Sequence, residues 1–300
     1  MMDLNKIIKN LSKEQKEELL KLLNTEAMDS STDKVIYCPK CGSFHLVKNG
    51  KAKGHQRFIC QDCNQHFTEY KNTIFNLTKK NIQLWKSYIK MMFDGYTIKQ
   101  IANELHICIQ TSFRWRHKIL SVLENKFMND TLSGIVEVDE TLILFSHKGQ
   151  KIDGVKGRKR GGKATKRGQS NQQKGILVAI DRKKNVISEI YGEGKISTQE
   201  IRDILNGRIK KKSVLVADGC SAYDKFADEN NFELVKIGEE KKKGIYHINN
   251  ANNYHSLLKE FLRGFKGIST KYLHKYLAWY KFVNQKKNDV NFLFNDLIMG

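Results

Sequence analysis

Long apolar runs are missing from this 300-residue sequence, and that absence is the first constraint on it. No stretch approaches the roughly 18 apolar residues of a membrane-spanning helix, and the N-terminus carries no apolar core of a secretory signal. Both absences point to a cytoplasmic protein, with no membrane partner, whose cysteines stay reduced. Cysteine itself is sparse. Four of the six fall in two Cys-x-x-Cys pairs, while Cys108 and Cys220 stand alone and read as small buried hydrophobes. Negative charge is also in short supply: 32 Asp and Glu stand against 53 Lys and Arg, a formal charge of +21. That surplus implies a polyanionic partner, nucleic acid first and an anionic membrane surface as the alternative. A hydrophobic content of 40% over this length fits a folded protein of two domains.

Residues 1–33 read as one amphipathic helix and a linker. Ser12 stands at the N-cap with Gln15 completing a capping box, and Leu19, Leu20, Leu22 and Leu23 lie on the apolar side. Over 34–70, Cys38-Pro39-Lys40-Cys41 and Cys60-Gln61-Asp62-Cys63 stand 18 residues apart. Four thiolates so spaced suit a tetrahedral structural Zn²⁺ in a ribbon of short strands; two disulfides are the alternative, which a reducing compartment disfavours. His45 and His55 are then surplus to the metal and belong on the surface. Lys48, Lys51, Lys53 and Arg57 are candidates for phosphate contacts, although any single one is more often a solvated side chain.

Over 78–130 the pattern turns helical. Ile82, Leu84, Trp85, Tyr88, Ile89, Met91 and Met92 make one broad apolar stripe. A short helix capped by Thr97, a turn at His106-Ile107-Cys108 and a second helix from Gln110 to about Leu123 then resemble a helix-turn-helix, with Arg114, Arg116 and Lys118 offered to DNA and Trp115 and Ile119 to the core. Any αα-hairpin would look similar. Between 148 and 174 the composition collapses to Lys, Arg, Gly, Gln and Ser, so no core can form there. This insertion, with Arg158, Lys159 and Arg160, reads as a basic loop adding salt-sensitive affinity for DNA.

The chemistry concentrates in three places beyond residue 134. Gly134-Ile135-Val136-Glu137-Val138-Asp139-Glu140-Thr141 alternates apolar and polar residues and ends on adjacent acids, which reads as a strand delivering Asp139 to a sheet edge. Ser213-Val214-Leu215-Val216-Ala217-Asp218-Gly219 does the same for Asp218. An Asn-rich turn over 248–253 opens a helix carrying Lys259. Between them come strands over 175–181 and 185–191, a helix over 198–205, a helix over 222–230 and a strand over 232–237. Three strands, helix, strand, helix, strand, helix is the order of an α/β, ribonuclease H-like (integrase-type) domain, here over 134–290.

These residues resemble a DDE-type transposase of a bacterial insertion sequence, in the branch that joins a zinc ribbon and a helix-turn-helix to a catalytic domain with Asn in place of the usual Glu. The resemblance covers most of 35–290. It is carried by Cys38, Cys41, Cys60 and Cys63, by Val138-Asp139-Glu140-Thr141, by Ala217-Asp218-Gly219, and by Asn249-Asn250-Ala251-Asn252-Asn253-Tyr254-His255-Ser256-Leu257-Leu258-Lys259. Leu273, Tyr276, Leu277, Tyr280 and Asn284 also fit that branch, whereas Ala278, Trp279 and Glu260 depart from it.

The resemblance implies that Asp139, Asp218 and Asn252 hold two Mg²⁺ (or Mn²⁺) ions, Asp139 bridging both, and that Lys259 holds a DNA phosphate, with Arg263 further along the same helix. It also implies binding to terminal inverted repeats, strand cleavage and transfer to target DNA, a homodimer or higher assembly in the synaptic complex, and a cytoplasmic, nucleoid-associated protein when DNA is bound. Lys259 follows Asn252 by seven residues, about 700° of rotation and about 10 Å of rise, so both share one helix face. Tyr254, Leu257, Leu258, Phe261, Leu262 and Phe265 read as the core stripe of that helix. Asn252 could instead be the N-cap, with Asn249, Asn250 and Asn253 competing for either role. Glu140 projects to the other side of its strand and is left out of the metal site. A DNA-binding regulator with an inactive catalytic domain, and a nuclease without strand transfer, are the rival readings.

Overall fold

The structure, a computed structural model, describes residues 36–52, 54–71, 73–76, 78–127, 130–150, 162, 164, 172–238 and 242–286. The helix expected over 1–33, Lys53 and the Arg158-Lys159-Arg160 cluster lie outside the described residues. The chain divides into two compact units, one up to Lys79 with residues 298–300, the other from Lys80 to Leu297. No helix among the described residues is long and apolar enough to cross a membrane.

In the first unit, β1 (Leu46–Ala52), β2 (His55–Cys60) and β3 (His66–Thr68) form an antiparallel sheet in that order. Each Cys-x-x-Cys pair lies on a tight turn closed by a residue of positive φ, Gly42 (φ 74°) donating its N–H to the Cys38 carbonyl and Asn64 (φ 56°) to that of Cys60. Glycine and asparagine are the residues that take this conformation at little cost. Cys38, Phe58, Cys60 and Phe67 are the buried core, the two phenylalanines stacked at 5.8 Å.

The second unit opens with three helices. α1 (Ile82–Phe93) is capped by Asn81 and buries Trp85, Tyr88, Ile89, Met92 and Phe93, while α2 (Ile98–Glu104) carries the full Thr97/Gln100 capping box. α3 (Ile109–Phe127) presses Trp115 flat against Trp85, ring centroids 3.8 Å apart. Ser112 of α3 donates to the Ile98 carbonyl at 2.9 Å, and with Tyr88 donating to the Ser112 carbonyl at 2.5 Å it pins α1, α2 and α3 together.

Then comes a five-stranded sheet. β4 (Ile135–Leu144), β5 (Gln173–Asp181), β6 (Val186–Glu193), β7 (Val214–Ala217) and β8 (Glu233–Lys236) lie in the order β6-β5-β4-β7-β8. The β6-β5-β4 ladders are antiparallel and the β4-β7-β8 ladders parallel, which is the ribonuclease H-like topology expected. Because side chains alternate along a strand, the sheet is apolar on both faces. Val136, Val138, Leu177 and Ala179 pack on α4 (Thr198–Leu205) and α5 (Ala222–Asn230); Ile176, Val178 and Ile180 pack on α6 (Asn249–Gly264) and α7 (Leu273–Lys286). The bounds of α4 and α5 are those expected, and β4 runs three residues further. A two-residue hairpin, β9 (Lys242–Lys243) with β10 (Tyr246–His247), was not foreseen.

Three expectations are corrected. Cys108 is exposed, its sulfur accepting from the Thr111 amide at 3.4 Å at the start of α3, and Cys220 is only half-buried. Leu257 is 42% exposed, so the apolar stripe of α6 is interrupted there. Its buried residues are Ala251, Tyr254, His255 and Leu258.

Candidate active site

The register of the parallel pair sets the site. Val138 lies beside Ala217, the last residue of β7, so Asp139, midway along β4, and Asp218, just past the end of β7, stand side by side. Asp139 Oδ1 accepts from the Glu140 amide at 2.9 Å, and Asp218 Oδ1 accepts from the Cys220 amide at 3.0 Å, so each carboxylate is held by a backbone amide one or two residues on. Glu140 leaves the opposite face of β4, as expected, and takes a hydrogen bond from the Tyr223 hydroxyl of α5. Its exclusion from the acid cluster is corrected: one oxygen each of Asp139, Glu140 and Asp218 lie within 4.8 Å of one another. Beyond Val138 no residue of β7 pairs with β4, and a Glu side chain is long enough to round that open edge.

Burial, followed by the neighbouring Asp218, pushes the Asp139 carboxyl up to about 6. Burial, with Asp218 and Asp139 nearby, pushes Glu140 up to about 7. Crowded, partly dehydrated carboxylates are what a hard divalent cation relieves, and three oxygen donors from two adjacent strands suit one.

Over this cluster lies α6. His255 Nδ1 is 3.5 Å from Asp139 Oδ2. Burial, then the charge of Lys259, drives that imidazole down to about 4, so at neutral pH the contact is not an ion pair. The field of Lys259 also reaches Asp139, which it favours in the charged form. Asn252, His255 and Lys259 recur at three and four residues and so form one stripe of the helix, the stripe that His255 brings against Asp139. Asn252 is exposed and already inside the helix, its amide donating to the Ile248 carbonyl at 3.0 Å, so the N-cap alternative does not hold for it. Asn250 is committed elsewhere, accepting from Lys184 at 2.7 Å, and Asn253 lines a separate cavity with Lys183 and Asn284.

The residue that sequence reasoning missed is Glu137. It shares the face of Asp139, two residues along, and its side chain is fully buried. Its carboxylate accepts from the amides of Asn250 (2.7 Å) and Ala251 (3.2 Å), from the Asn250 side chain (2.5 Å) and from Arg182 (2.6 Å). Ile248, the N-cap of α6, has no side-chain cap hydrogen bond, so a strand supplies the cap that the helix lacks. The available signal was an acid at an inward-facing position of an otherwise apolar alternation.

Arg114 and Lys118 are exposed on α3, one turn apart. Arg116 is corrected: it is 1% exposed, donates to the Tyr96 carbonyl at 2.7 Å and lies 5.3 Å over the Trp279 ring, because position 116 is about 200° round the helix from 114. Lys259 and Arg263 are exposed and line a cavity of about 340 Å³ with Leu142, Ile143 and Leu144. In the ribbon Lys48 is exposed and Arg57 half-buried. Its four sulfurs converge within 4.8 Å, with Cys38–Cys63 at 3.4 Å and Cys41–Cys60 at 3.5 Å. No disulfide joins them. Four sulfurs at about 2.3 Å from one Zn²⁺ would stand about 3.7 Å apart, so the donor set fits a structural zinc.

Two known families match this chain. The InsA N-terminal domain family matches residues 34–64 and the ISXO2-like transposase domain family matches residues 131–283. An uncharacterized protein in transposable element ISH50 of Halobacterium salinarum is 27% identical over 261 residues, covering 81% of this chain and 83% of its own length. The InsA protein of insertion element iso-IS1N from Shigella dysenteriae is 30% identical over 80 residues, 26% of this chain and 84% of its own length. The Mos1 strand transfer complex covers 71% of this chain and 73% of that one at 14% identity, with a TM-score of 0.31.

Proposed function

We propose, from the premise that this chain belongs to the ISXO2-like transposase family and is an insertion-sequence DNA transposase with a zinc ribbon, that Asp139, Asp218 and Asn252 hold two Mg²⁺ or Mn²⁺ ions for strand cleavage and transfer. The observation that carries the reading is the convergence of carboxylates from the middle of β4 and the end of β7 beneath the α6 stripe that bears Lys259. Such ions activate an attacking oxygen and stabilise a leaving one in an in-line displacement at phosphorus. Asn252 offers a neutral carbonyl oxygen, and Glu140 restores at the cluster the negative charge that a Glu at position 252 would have brought. Neutral His255 steadies the Asp139 carboxylate. Lys259 and Arg263 hold the phosphate backbone beside the acids.

DNA end recognition falls to the rest of the chain: a ribbon over 34–70 with Lys48 and Arg57, a helix-turn-helix region over 78–130 with Arg114 and Lys118 facing the duplex, and the 148–174 insertion with Arg158, Lys159 and Arg160 adding charge. The catalytic domain spans 134–290. The substrates are terminal inverted repeats and a target duplex, brought together by two or more protomers in the cytoplasm.

Nicking of a duplex bearing the element's terminal repeat, measured against Mg²⁺ concentration, tests this. Asp139→Asn and Asn252→Ala should each cut more than about a hundredfold slower while binding DNA within about twofold of wild type. Asn252→Asp, which keeps an oxygen in place, should retain part of the rate. An Asn252→Ala protein that cuts at the wild-type rate removes Asn252 from the site, and sequence-specific binding without nicking leaves a regulator instead.

A further inference from the structure

We infer that the cavity between the α2–α3 pair and the segment following α6 holds a single unstacked nucleotide of the DNA strand being processed. The inference rests on the reading of the chain as a DNA transposase and adds a contact that reading does not contain. The cavity measures about 380 Å³, within the usual range of small-ligand sites and far too narrow for a duplex. One wall is aromatic: His117 of α3 lies against Phe113 at 4.3 Å and against Tyr272 at 4.1 Å between ring centroids, and Phe265 and Tyr276 extend the wall. Phe113 is 36% exposed, so part of that surface is open to a guest.

The rest of the lining is cationic. Lys99, Lys148 and Lys271 are exposed, Arg116 is buried, and no Asp or Glu lines the cavity. Arg116 interacts with a carbonyl, two aromatic rings and the hydroxyls of Tyr88 and Tyr276, yet no carboxylate pairs with it among the described residues, and its Nε has no partner. A buried guanidinium without a counter-anion is costly, and here it sits beside two more buried polar atoms lacking partners, His117 Nδ1 and Ser269 Oγ. What the cavity lacks is therefore an anion. A lone phosphate would leave the aromatic wall unused, and an apolar guest would leave the cations unanswered. A nucleotide satisfies both, its base against the rings and its phosphate among the lysines. The site joins α3 to the segment after α6, so a nucleotide there would tie the end of the DNA between the helices proposed to read it and the helix that carries Lys259.

The test uses the full-length protein and a short duplex carrying one unpaired 2-aminopurine, compared with the fully paired duplex and with one carrying an abasic site. Wild type should bind the unpaired duplex about tenfold more tightly than the paired one and quench the probe. Tyr272→Leu and, separately, Phe113→Leu should erase that preference while leaving the paired duplex within about twofold; Tyr272→Phe should keep it. Equal losses on both duplexes would reduce the cavity to a basic surface, and an abasic duplex bound as tightly as the unpaired base would reduce it to a phosphate site; either overturns the inference, as does a preference that survives both Leu variants. Metal-dependent nicking by the same preparations is scored separately. Its absence sinks the transposase reading, whereas an absent base preference sinks only the nucleotide site.

Discussion

In the ribbon two of the four cysteines belong to the core: Cys38 and Cys60 are buried with Phe58 and Phe67, while Cys63 is half-buried and Cys41 exposed. In the sheet unit the order is reversed, since apolar layers fill both faces while Asp139 and Glu140 of β4 and Asp218 past the end of β7 form a separate cluster that belongs to neither layer. Removing a ligand should therefore unfold the first unit and relax the second. In the ribbon, fold and zinc ligation should be one equilibrium; in the sheet unit a scaffold carries acids that disfavour its own folded state, which the proposed cations would relieve.

The largest effect is expected in the ribbon. Cys60→Ser should release its zinc and unfold that unit, because structural zinc in such small domains contributes about 10–16 kcal/mol of folding free energy. Metal analysis and limited proteolysis should show a cut within 36–79 and an intact sheet unit; a variant that keeps its ribbon without zinc would undo the comparison. Glu137→Ala comes next and is the exception within the sheet unit, an acid that behaves as core. Leaving Arg182 and the start of α6 without their carboxylate should cost about 3–5 kcal/mol, read as a lowered unfolding midpoint in urea. A midpoint within error of wild type would mean that α6 caps itself some other way.

The smallest effect has the opposite sign. The ordinary Asp and Glu values are 3.8 and 4.5, and the folded values are raised to about 6 at Asp139 and about 7 at Glu140. Between those limits the unfolded chain has released protons that the folded one still holds, so stability falls as pH rises through that window and levels off above it. Without added divalent ions, the Tm of the sheet unit should drop from pH 5 to pH 8. Asp139→Asn should recover about 2–4 °C at pH 8, and Mg²⁺ should flatten the wild-type slope. A pH slope unchanged by both Asp139→Asn and Glu140→Gln would assign it to other groups.

Much of this was legible because it is local. Val138-Asp139 and Ala217-Asp218 announce strand-borne acids by apolar residues that lead into a carboxylate, although β4 runs on past its acid to Leu144, and the paired Cys-x-x-Cys motifs fix a ligand set by spacing alone. The misses share a cause: position overruled residue type. Ser112, Trp115, Arg116, Ile119, Leu120 and Leu123 recur at three and four residues and are all buried, so the period placed Arg116 inside although its charge argued for solvent. Glu137 likewise stood at an inward position of β4, and only its partners, Arg182, Asn250 and Ala251, all distant in sequence, explain it. Glu140 joined the acids because β7 ends, which no reading of β4 by itself reveals.

The borrowed cap of α6 also orders events in time. Asn250 and Ala251 lie 113 and 114 residues beyond the carboxylate that receives their amides, so a growing chain makes both acid-bearing strands well before the helix that covers them. Until that helix emerges and docks, Asp139 and Asp218 stand without Asn252 and Lys259. A ribosome therefore finishes the parts proposed to grip DNA before the part proposed to complete the cutting site, and on that proposal a truncated product would be a binder without a blade.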